Sequence, residues 1–152
     1  MFRGSHLELS PEDFYLQGTN SRLFNIFYAA IRSQEARDWT DPNMPLYSKN
    51  IGRKNKLEKH HIFPKSLLYE HYSSKNTIDK RLVNEIANMA FLTENSNKTI
   101  FNNEPIKYLP HIDKAELRKQ FIPLDEELWK LQNYEDFLSE RRRLLSEGIN
   151  NC

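Results

Sequence analysis

Two short apolar segments followed by a helix start constrain the fold of this chain more than any other feature. Residues 56–63 alternate as a half-buried strand does, and Pro64 would end that strand. Residues 89–92 form a second apolar strand. Thr93 has the hydroxyl that caps a helix over about residues 94–101. The order strand, connection, strand, helix predicts a ββα unit.

Helical signals dominate the rest of the chain. Apolar side chains at helical spacing predict a helix over about residues 21–34 with a buried aromatic stripe. A final helix has one apolar face, and its three consecutive arginines are expected to be mainly solvated. Shorter helices are predicted near residues 66–72, 82–86, 105–109 and 114–121. The apolar face of the first long helix consists of Leu23, Phe24, Phe27, Tyr28 and Ile31. That of the final helix consists of Tyr134, Phe137, Leu138 and Leu145, and its arginines are Arg141, Arg142 and Arg143.

The predicted fold class is α+β, mostly α, with two short strands inside a helical shell. A length of 152 residues fits a single domain. Its core is expected at about residues 56–103, with helical flanks at 10–40 and 104–148.

The charge and the cysteine content limit which classes of protein this chain can belong to. The net charge of +1 does not mark a nucleic-acid binder, but the basic residues are concentrated between Lys49 and Lys65. Such a stretch can attract phosphate, although on composition alone a solvated, lysine-rich loop is the better explanation. Cys152 is the only cysteine, which fits a reducing, cytoplasmic location, and no run of apolar residues suits a membrane. The basic residues are Lys49, Arg53, Lys54, Lys56, Lys59 and Lys65.

The polar residues of the ββα unit suggest metal-assisted hydrolysis. His60 and His61 are adjacent in the first strand, so their side chains should point to opposite faces. Histidine can take a proton from water near pH 7, because its ordinary pKa is about 6.5. Asn97, in the first turns of the helix, has an amide oxygen that can complete a metal site.

The segments HHIFPKS and NMAFLT, followed by Asn97, resemble the HNH or ββα-metal nuclease motif. The nine-residue step from Asn88 to Asn97 is similar to the step between the last two motif positions. HHIFPKSLL, IANMAFLTENSNKTIFNNEPIKYL and QFIPLDEELWKLQNYEDFLSERRRLL are also similar to the C-terminal nuclease domain of GmrSD-type restriction endonucleases. The resemblance covers roughly residues 19–150.

This resemblance implies a role for each motif position. His61 would be the general base and His60 the first metal ligand, where many members have Asp. Asn97 would be the second ligand, and Asn88 would orient the loop that carries His61. The implied cofactor is a divalent ion, with Mg²⁺ as the default and Mn²⁺, Ni²⁺ or Zn²⁺ as alternatives.

Contacts with phosphate are expected from Lys65 and Lys98, and less strongly from Lys59. Glu58 has two open roles, as an acceptor for a histidine N–H or as a partner for a neighbouring lysine.

The resemblance also implies a biological setting. The expected activity is metal-dependent hydrolysis of DNA phosphodiesters, by nicking or double-strand cleavage, in prokaryotic defence against phage or foreign, often modified, DNA. Such domains usually follow an N-terminal ParB/Srx-like nucleotide-hydrolysing domain, so the chain would be the C-terminal part of a larger restriction protein or a stand-alone relative. Two alternatives stay open: a catalytically silent module that binds nucleic acid or protein, and a ribonuclease.

Overall fold

The computed structural model describes residues 8–46, 56–73 and 77–152. Two strands and seven α-helices are found in these ranges, and short 3₁₀ segments join several of them. The strands are β1 (Leu57–His61) and β2 (Met89–Thr93). The helices are α1 (Arg22–Ser33), α2 (Lys65–Tyr72), α3 (Lys80–Val83), α4 (Glu94–Ile100), α5 (Pro105–Tyr108), α6 (Lys114–Lys119) and α7 (Tyr134–Asn150). The prediction of a mostly helical α+β fold is confirmed.

The two strands form an antiparallel pair that ends where α4 begins. Leu57 is opposite Thr93, and His61 is opposite Met89. The Thr93 hydroxyl accepts a hydrogen bond from the Ser96 N–H and so caps α4, as the sequence predicted. Thr93 is also the last residue of β2, which is buried along its whole length. The cap therefore sets the position at which α4 leaves the sheet.

The first strand is shorter than predicted. It ends at His61 rather than Phe63: Ile62 still bonds to the backbone of Asn88 opposite it, but the side chain of Asn88 takes the backbone of Phe63. The Ile62 N–H donates to the Asn88 carbonyl at 2.8 Å, and the Phe63 N–H donates to the Asn88 side chain at 2.8 Å. The chain therefore leaves the sheet two residues before Pro64.

The aromatic stripe of α1 is buried, as predicted, and it packs against β2. Ser21 caps the helix by accepting a hydrogen bond from the Leu23 N–H. The rings of Phe24 and Phe27 lie 4.9 and 5.0 Å from the ring of Phe91 in β2. These contacts place the hydrophobic core on the side of β2 that carries Phe91.

The prediction that the three arginines of α7 are mainly solvated is wrong for two of them. Arg141 is fully buried, and its guanidinium donates to the carbonyls of Ala87 and Gln120 at 2.8 and 2.9 Å. Arg142 forms two hydrogen bonds with buried Glu85. The polar face of α7 thus satisfies backbone carbonyls and a carboxylate from other elements, which helical spacing cannot indicate.

Part of the predicted basic loop lies outside the described residues, namely Lys49, Arg53 and Lys54. The loop before it is closed by an isolated bridge between Arg37 and Pro45. Within the described ranges, no helix has the length and apolar character needed to cross a membrane.

Candidate metal centre and nucleic-acid site

His60 lies buried between the sheet, α4 and α5. Its Nδ1 is 2.8 Å from Oδ1 of Asn97, and its Nε2 is 2.9 Å from the hydroxyl of Tyr108. The Tyr108 hydroxyl is also 2.7 Å from the carbonyl of Ile62. Burial lowers the pKa of His60 to about 4, although the contact with Asn97 opposes this shift. The imidazole is therefore neutral at pH 7 and carries one ring proton.

The hydrogen bonds of Tyr108 favour Nε2 as the position of that proton. The single hydroxyl proton of Tyr108 satisfies the buried Ile62 carbonyl, so the hydroxyl oxygen accepts a hydrogen bond from His60 Nε2–H. If the proton were on Nδ1, Tyr108 would have two acceptors and only one proton to give them. A lone pair on Nδ1 therefore faces the side chain of Asn97.

Asn97 also turns an acceptor toward this lone pair. Its Nδ2 donates to Oε2 of Glu58 at 2.7 Å, which directs Oδ1 at Nδ1 of His60. Glu58 thus accepts from the Asn97 amide, rather than from a histidine or a lysine as the sequence suggested. In this tautomer the two atoms, 2.8 Å apart, are both acceptors, and a cation bound beside them would satisfy both.

The separation of these two atoms fits neighbouring ligands of one small divalent ion, whose donor atoms lie roughly 3 Å apart. If a metal binds here, His60 and Asn97 are the side chains that would hold it. Glu58 adds a negative charge next to the pair through Asn97. Among the described residues there is no group of three or more His, Cys, Asp or Glu side chains that could hold a metal, so water or substrate would have to complete the coordination.

His61 is half-buried and points away from His60, as alternation in a strand predicts. Its Nε2 lies 2.9 Å from Oδ1 of Asn84, while Nδ2 of Asn84 donates to the Lys80 carbonyl at 3.1 Å. The amide of Asn84 is thereby oriented, so His61 carries its proton on Nε2 and keeps a lone pair on Nδ1. Burial lowers the pKa of His61, and the ammonium groups of Lys65 and Lys59 shift it in the same direction.

Asn88 is fully buried at the start of β2 and binds the turn that follows His61. Its Oδ1 accepts from the Phe63 N–H, and its Nδ2 donates to the carbonyls of Phe63 and Val83 at 3.1 and 2.9 Å. These contacts have the form expected of a residue that orients the loop carrying His61. They leave Asn88 no free oxygen for a metal.

A pocket of about 270 Å³ opens beside the two histidines. Lys59 and Lys65 line it, whereas Lys98 pairs with Glu94 at 3.0 Å on the exposed side of α4. The structure therefore brings two of the three predicted phosphate-binding lysines to the pocket. Its lining consists of Lys59, His60, His61, Pro64, Lys65, Ser66, Asn97, Phe101 and Asn102.

A second pocket lies on the other side of His61. Lys59, His61 and Asn84 line it together with Met89 and the turn at residues 18–20. Nζ of Lys59 is 3.5 Å from the hydroxyl of Thr19 in that turn. His61 is thus accessible from two sides, with Lys59 lining both pockets.

Buried Asp38 holds the first turn of α4 in place. Its carboxylate accepts hydrogen bonds from the N–H and hydroxyl of Thr93 at 3.0 and 2.9 Å. It also accepts from the hydroxyl of Ser96, which contacts Thr40. Asn97 follows directly after Ser96, so this network sets the position of the second candidate ligand.

A comparison with known protein families identifies the family of this chain. The family model described as GmrSD restriction endonucleases, C-terminal domain, matches residues 7–147. The chain belongs to this family. Membership in the GmrSD C-terminal family implies a nuclease of the restriction-endonuclease type. No curated protein and no solved structure matches the chain significantly.

Two residues at this candidate site were not identified from the sequence. Tyr108 lies 48 residues after His60, in a short helix with no motif of its own. Asn84 follows the last residue of α3, four residues before Asn88, and its residue type is compatible with any helix end. Both contacts depend on how separate elements pack, so no local pattern predicts them.

Proposed function

We propose that this chain is a metal-dependent endonuclease that hydrolyses DNA phosphodiester bonds at an HNH-type, ββα-metal site. The observation that carries the proposal is the close approach of two potential metal ligands, Nδ1 of His60 and Oδ1 of Asn97, at 2.8 Å. His61 follows His60 in the chain, and it lines one pocket together with His60 and Asn97. A cation site beside an oriented neutral imidazole suits the hydrolysis of a phosphodiester.

In this proposal each side chain has one task. Nδ1 of His61 takes a proton from the attacking water, because Asn84 binds the proton on Nε2. Asn88 holds the turn after His61 through the backbone of Phe63. A divalent ion held by His60 and Asn97 would supply neutralisation of the phosphoryl charge and stabilisation of the leaving oxygen. We take Mg²⁺ as the default ion, with Mn²⁺, Ni²⁺ and Zn²⁺ as alternatives.

The charged residues near the pocket suit a phosphate-bearing substrate. Lys65 and Lys59 line the pockets beside His61, and they would neutralise backbone phosphates of DNA bound there. Lys98 is exposed on α4, where it pairs with Glu94. It would leave this ion pair to contact a DNA phosphate farther from the scissile bond. Contacts of this kind position DNA without reading its sequence.

The biological setting follows from the family. We propose that the chain acts in the prokaryotic cytoplasm, in defence against phage or foreign, modified DNA. It would work with an N-terminal ParB/Srx-like nucleotide-hydrolysing domain or subunit. One such site cuts one strand, so a double-strand break requires two sites or two successive nicks.

The rival function is a catalytically silent module that binds DNA without cutting it. One observation favours it. The candidate ligands His60 and Asn97 include no carboxylate, and the described residues contain no group of three His, Cys, Asp or Glu side chains that could hold a metal. The two functions differ in one property, because only the nuclease makes strand breaks that depend on a metal and on His61.

A plasmid-nicking assay distinguishes them. Purified protein is incubated with supercoiled DNA and Mg²⁺, Mn²⁺, Ni²⁺ or Zn²⁺, with EDTA as the metal-free control. We expect metal-dependent relaxation that His61→Ala reduces by at least about 100-fold. His71→Ala is the matched control, because His71 lies in α2 and lines neither pocket.

The same assay can reject the proposal. Folded wild-type protein that retards DNA but leaves it intact with every metal would support the silent module. Equal cleavage by wild type and His61→Ala would remove the role assigned to His61. Cleavage of RNA in preference to DNA would change the substrate class.

A further inference from the structure

Phe101 is the most exposed large hydrophobic side chain in the described part of the protein, with 73% of its surface accessible. Single exposed aromatic rings are common on protein surfaces, so its position matters more than its exposure. Phe101 lines the pocket that also contains His60, His61 and Asn97. The other exposed aromatic residues, Tyr15 and Tyr69, line neither pocket beside His61.

The turn that carries Phe101 is held by a set of hydrogen bonds. The Phe101 N–H donates to the Lys98 carbonyl at 3.3 Å, and both the N–H and the side chain of Asn103 donate to the Ile100 carbonyl at 3.1 Å. Asn102 adopts a positive φ of 59°, a conformation that Asn tolerates, and its side chain binds the hydroxyl of Ser66 in α2. Buried Ile100 anchors the preceding residue. The backbone therefore presents the ring at the pocket in a defined position.

The surroundings of the ring suit nucleic acid. Lys65 and Lys59 line the same pocket, so a bound strand would have its phosphates near these ammonium groups and a base or sugar near Phe101. Aromatic side chains beside cationic ones are the usual platform for stacking unpaired bases. Bases within an intact duplex are stacked on each other, and a ring at the backbone reaches one only where the stack opens.

We propose that Phe101 stacks on or wedges beside an unstacked base next to the scissile phosphate, so that the protein prefers DNA that is bulged, mismatched or single-stranded at the cleavage position. This inference rests on the proposed function. It goes beyond that function by naming the structural class of the substrate and the residue that selects it.

Binding in EDTA tests the inference without turnover. The probes are a duplex, the same duplex with a two-base mismatch, and the same sequence as a single strand, each with 2-aminopurine at the central position. We expect wild type to bind the mismatched and single-stranded probes more tightly and to change the 2-aminopurine fluorescence. Phe101→Ala should lose roughly 5- to 150-fold in affinity for the opened probes, while its affinity for the duplex changes little.

Two variants separate stacking from other effects. Phe101→Trp keeps an aromatic face and should retain the preference for opened DNA. Tyr69→Ala removes an exposed ring from α2 outside the pockets and should behave as wild type. Thermal unfolding of each variant confirms that the fold is intact.

The outcomes of binding and nicking together distinguish this inference from the proposed function. If wild type nicks DNA but Phe101→Ala keeps the full preference and fluorescence change, the inference is wrong, and an exposed contact for a protein partner becomes the better explanation of Phe101. If wild type neither binds nor nicks any DNA, the proposed function is wrong, and the inference that rests on it is wrong too. Nicking without any preference for opened DNA overturns the inference alone.

Discussion

At the scale of the single residue, His60 links the stability of the protein to pH. Its side chain is buried and neutral, and its pKa is lowered from 6.5 to about 4. The unfolded chain therefore takes up a proton near pH 6.5, whereas the folded chain takes it up only near pH 4. Because the unfolded state binds more protons in this window, the stability present above pH 6.5 is lost as the pH falls.

The first prediction follows from this linkage. In metal-free buffer, His60 should lower the free energy of unfolding by about 2 kcal/mol between pH 7 and pH 5. Urea unfolding of wild type and His60→Gln at both pH values measures this contribution, because glutamine does not titrate. Equal changes in the two proteins would show that His60 is not buried in its neutral form.

Asn84 is the second residue whose contacts make a prediction. Its oriented amide fixes the ring proton of His61 on Nε2, so Asn84→Ala should leave the base free to rotate and to change tautomer. We expect kcat for nicking to fall by up to about 100-fold with little change in DNA affinity.

Asn84→Asp provides the matched control for this substitution, because a carboxylate oxygen can still accept from His61. It should recover much of the lost rate. If Asn84→Ala instead weakens DNA binding and leaves kcat unchanged, then Asn84 contacts substrate rather than His61.

At the scale of elements, the candidate metal site needs α4 and α5 to approach β1 together. Asn97 comes from α4 and Tyr108 from the end of α5, and both contact His60 in the strand. Neither helix is long enough to be stable alone. Their positions are therefore set by buried contacts, among them the bonds of Asp38 to the cap of α4.

The third prediction tests the contribution of α5. Tyr108→Phe removes the hydroxyl that accepts from Nε2 of His60 and so releases the ring from its tautomer. We expect Mn²⁺ affinity, measured by calorimetry, to fall about 10- to 100-fold. Tyr134→Phe is the control, since it deletes another buried tyrosine hydroxyl, bound to the Leu82 carbonyl at 2.6 Å. An equal loss in both variants would indicate general destabilisation rather than an effect on His60.

At the scale of the whole molecule, α7 ties the N-terminal and C-terminal parts of the fold to the sheet. Arg142 forms two hydrogen bonds with fully buried Glu85, and Glu85 also accepts from the Leu16 N–H at 3.2 Å. Arg141 donates to the Ala87 carbonyl, two residues before the start of β2. Asn150 binds both backbone groups of Leu9 at 2.9 and 2.8 Å.

The fourth prediction compares two neighbouring arginines of α7. Arg142→Ala should lower the free energy of unfolding by about 3 kcal/mol, because it leaves the buried carboxylate of Glu85 without its cation. Arg143→Ala should change it little, since Arg143 pairs with Glu140 and Glu147 on the solvent-exposed side. Urea unfolding measures both, and similar effects of the two substitutions would contradict the assignment of Glu85 as a buried partner.

The limits of prediction differ between elements for physical reasons. The helix at residues 21–34 and the cap at Thr93 were predicted because their signals lie within a few residues of each other. The end of β1 was placed two residues late, because its true end depends on Asn88, 25 residues away. The arginines of α7 were assigned to solvent because spacing along a helix does not show which carbonyls lie opposite it.

The sequence by itself determined the order of the two strands and the helix after them and the mostly helical class, since periodicity and capping are local properties of the chain. The roles that motif spacing gives to His60, His61, Asn88 and Asn97 stay predictions. Only the tertiary structure decided which lone pair of His60 meets Asn97, which amide holds His61, and that Phe101 stands at the pocket. Those features depend on Tyr108, Asn84 and Ser66, which reach the site from separate helices or their ends. Hydrogen bonds between distant segments form only once the core has packed, so no local pattern specifies them.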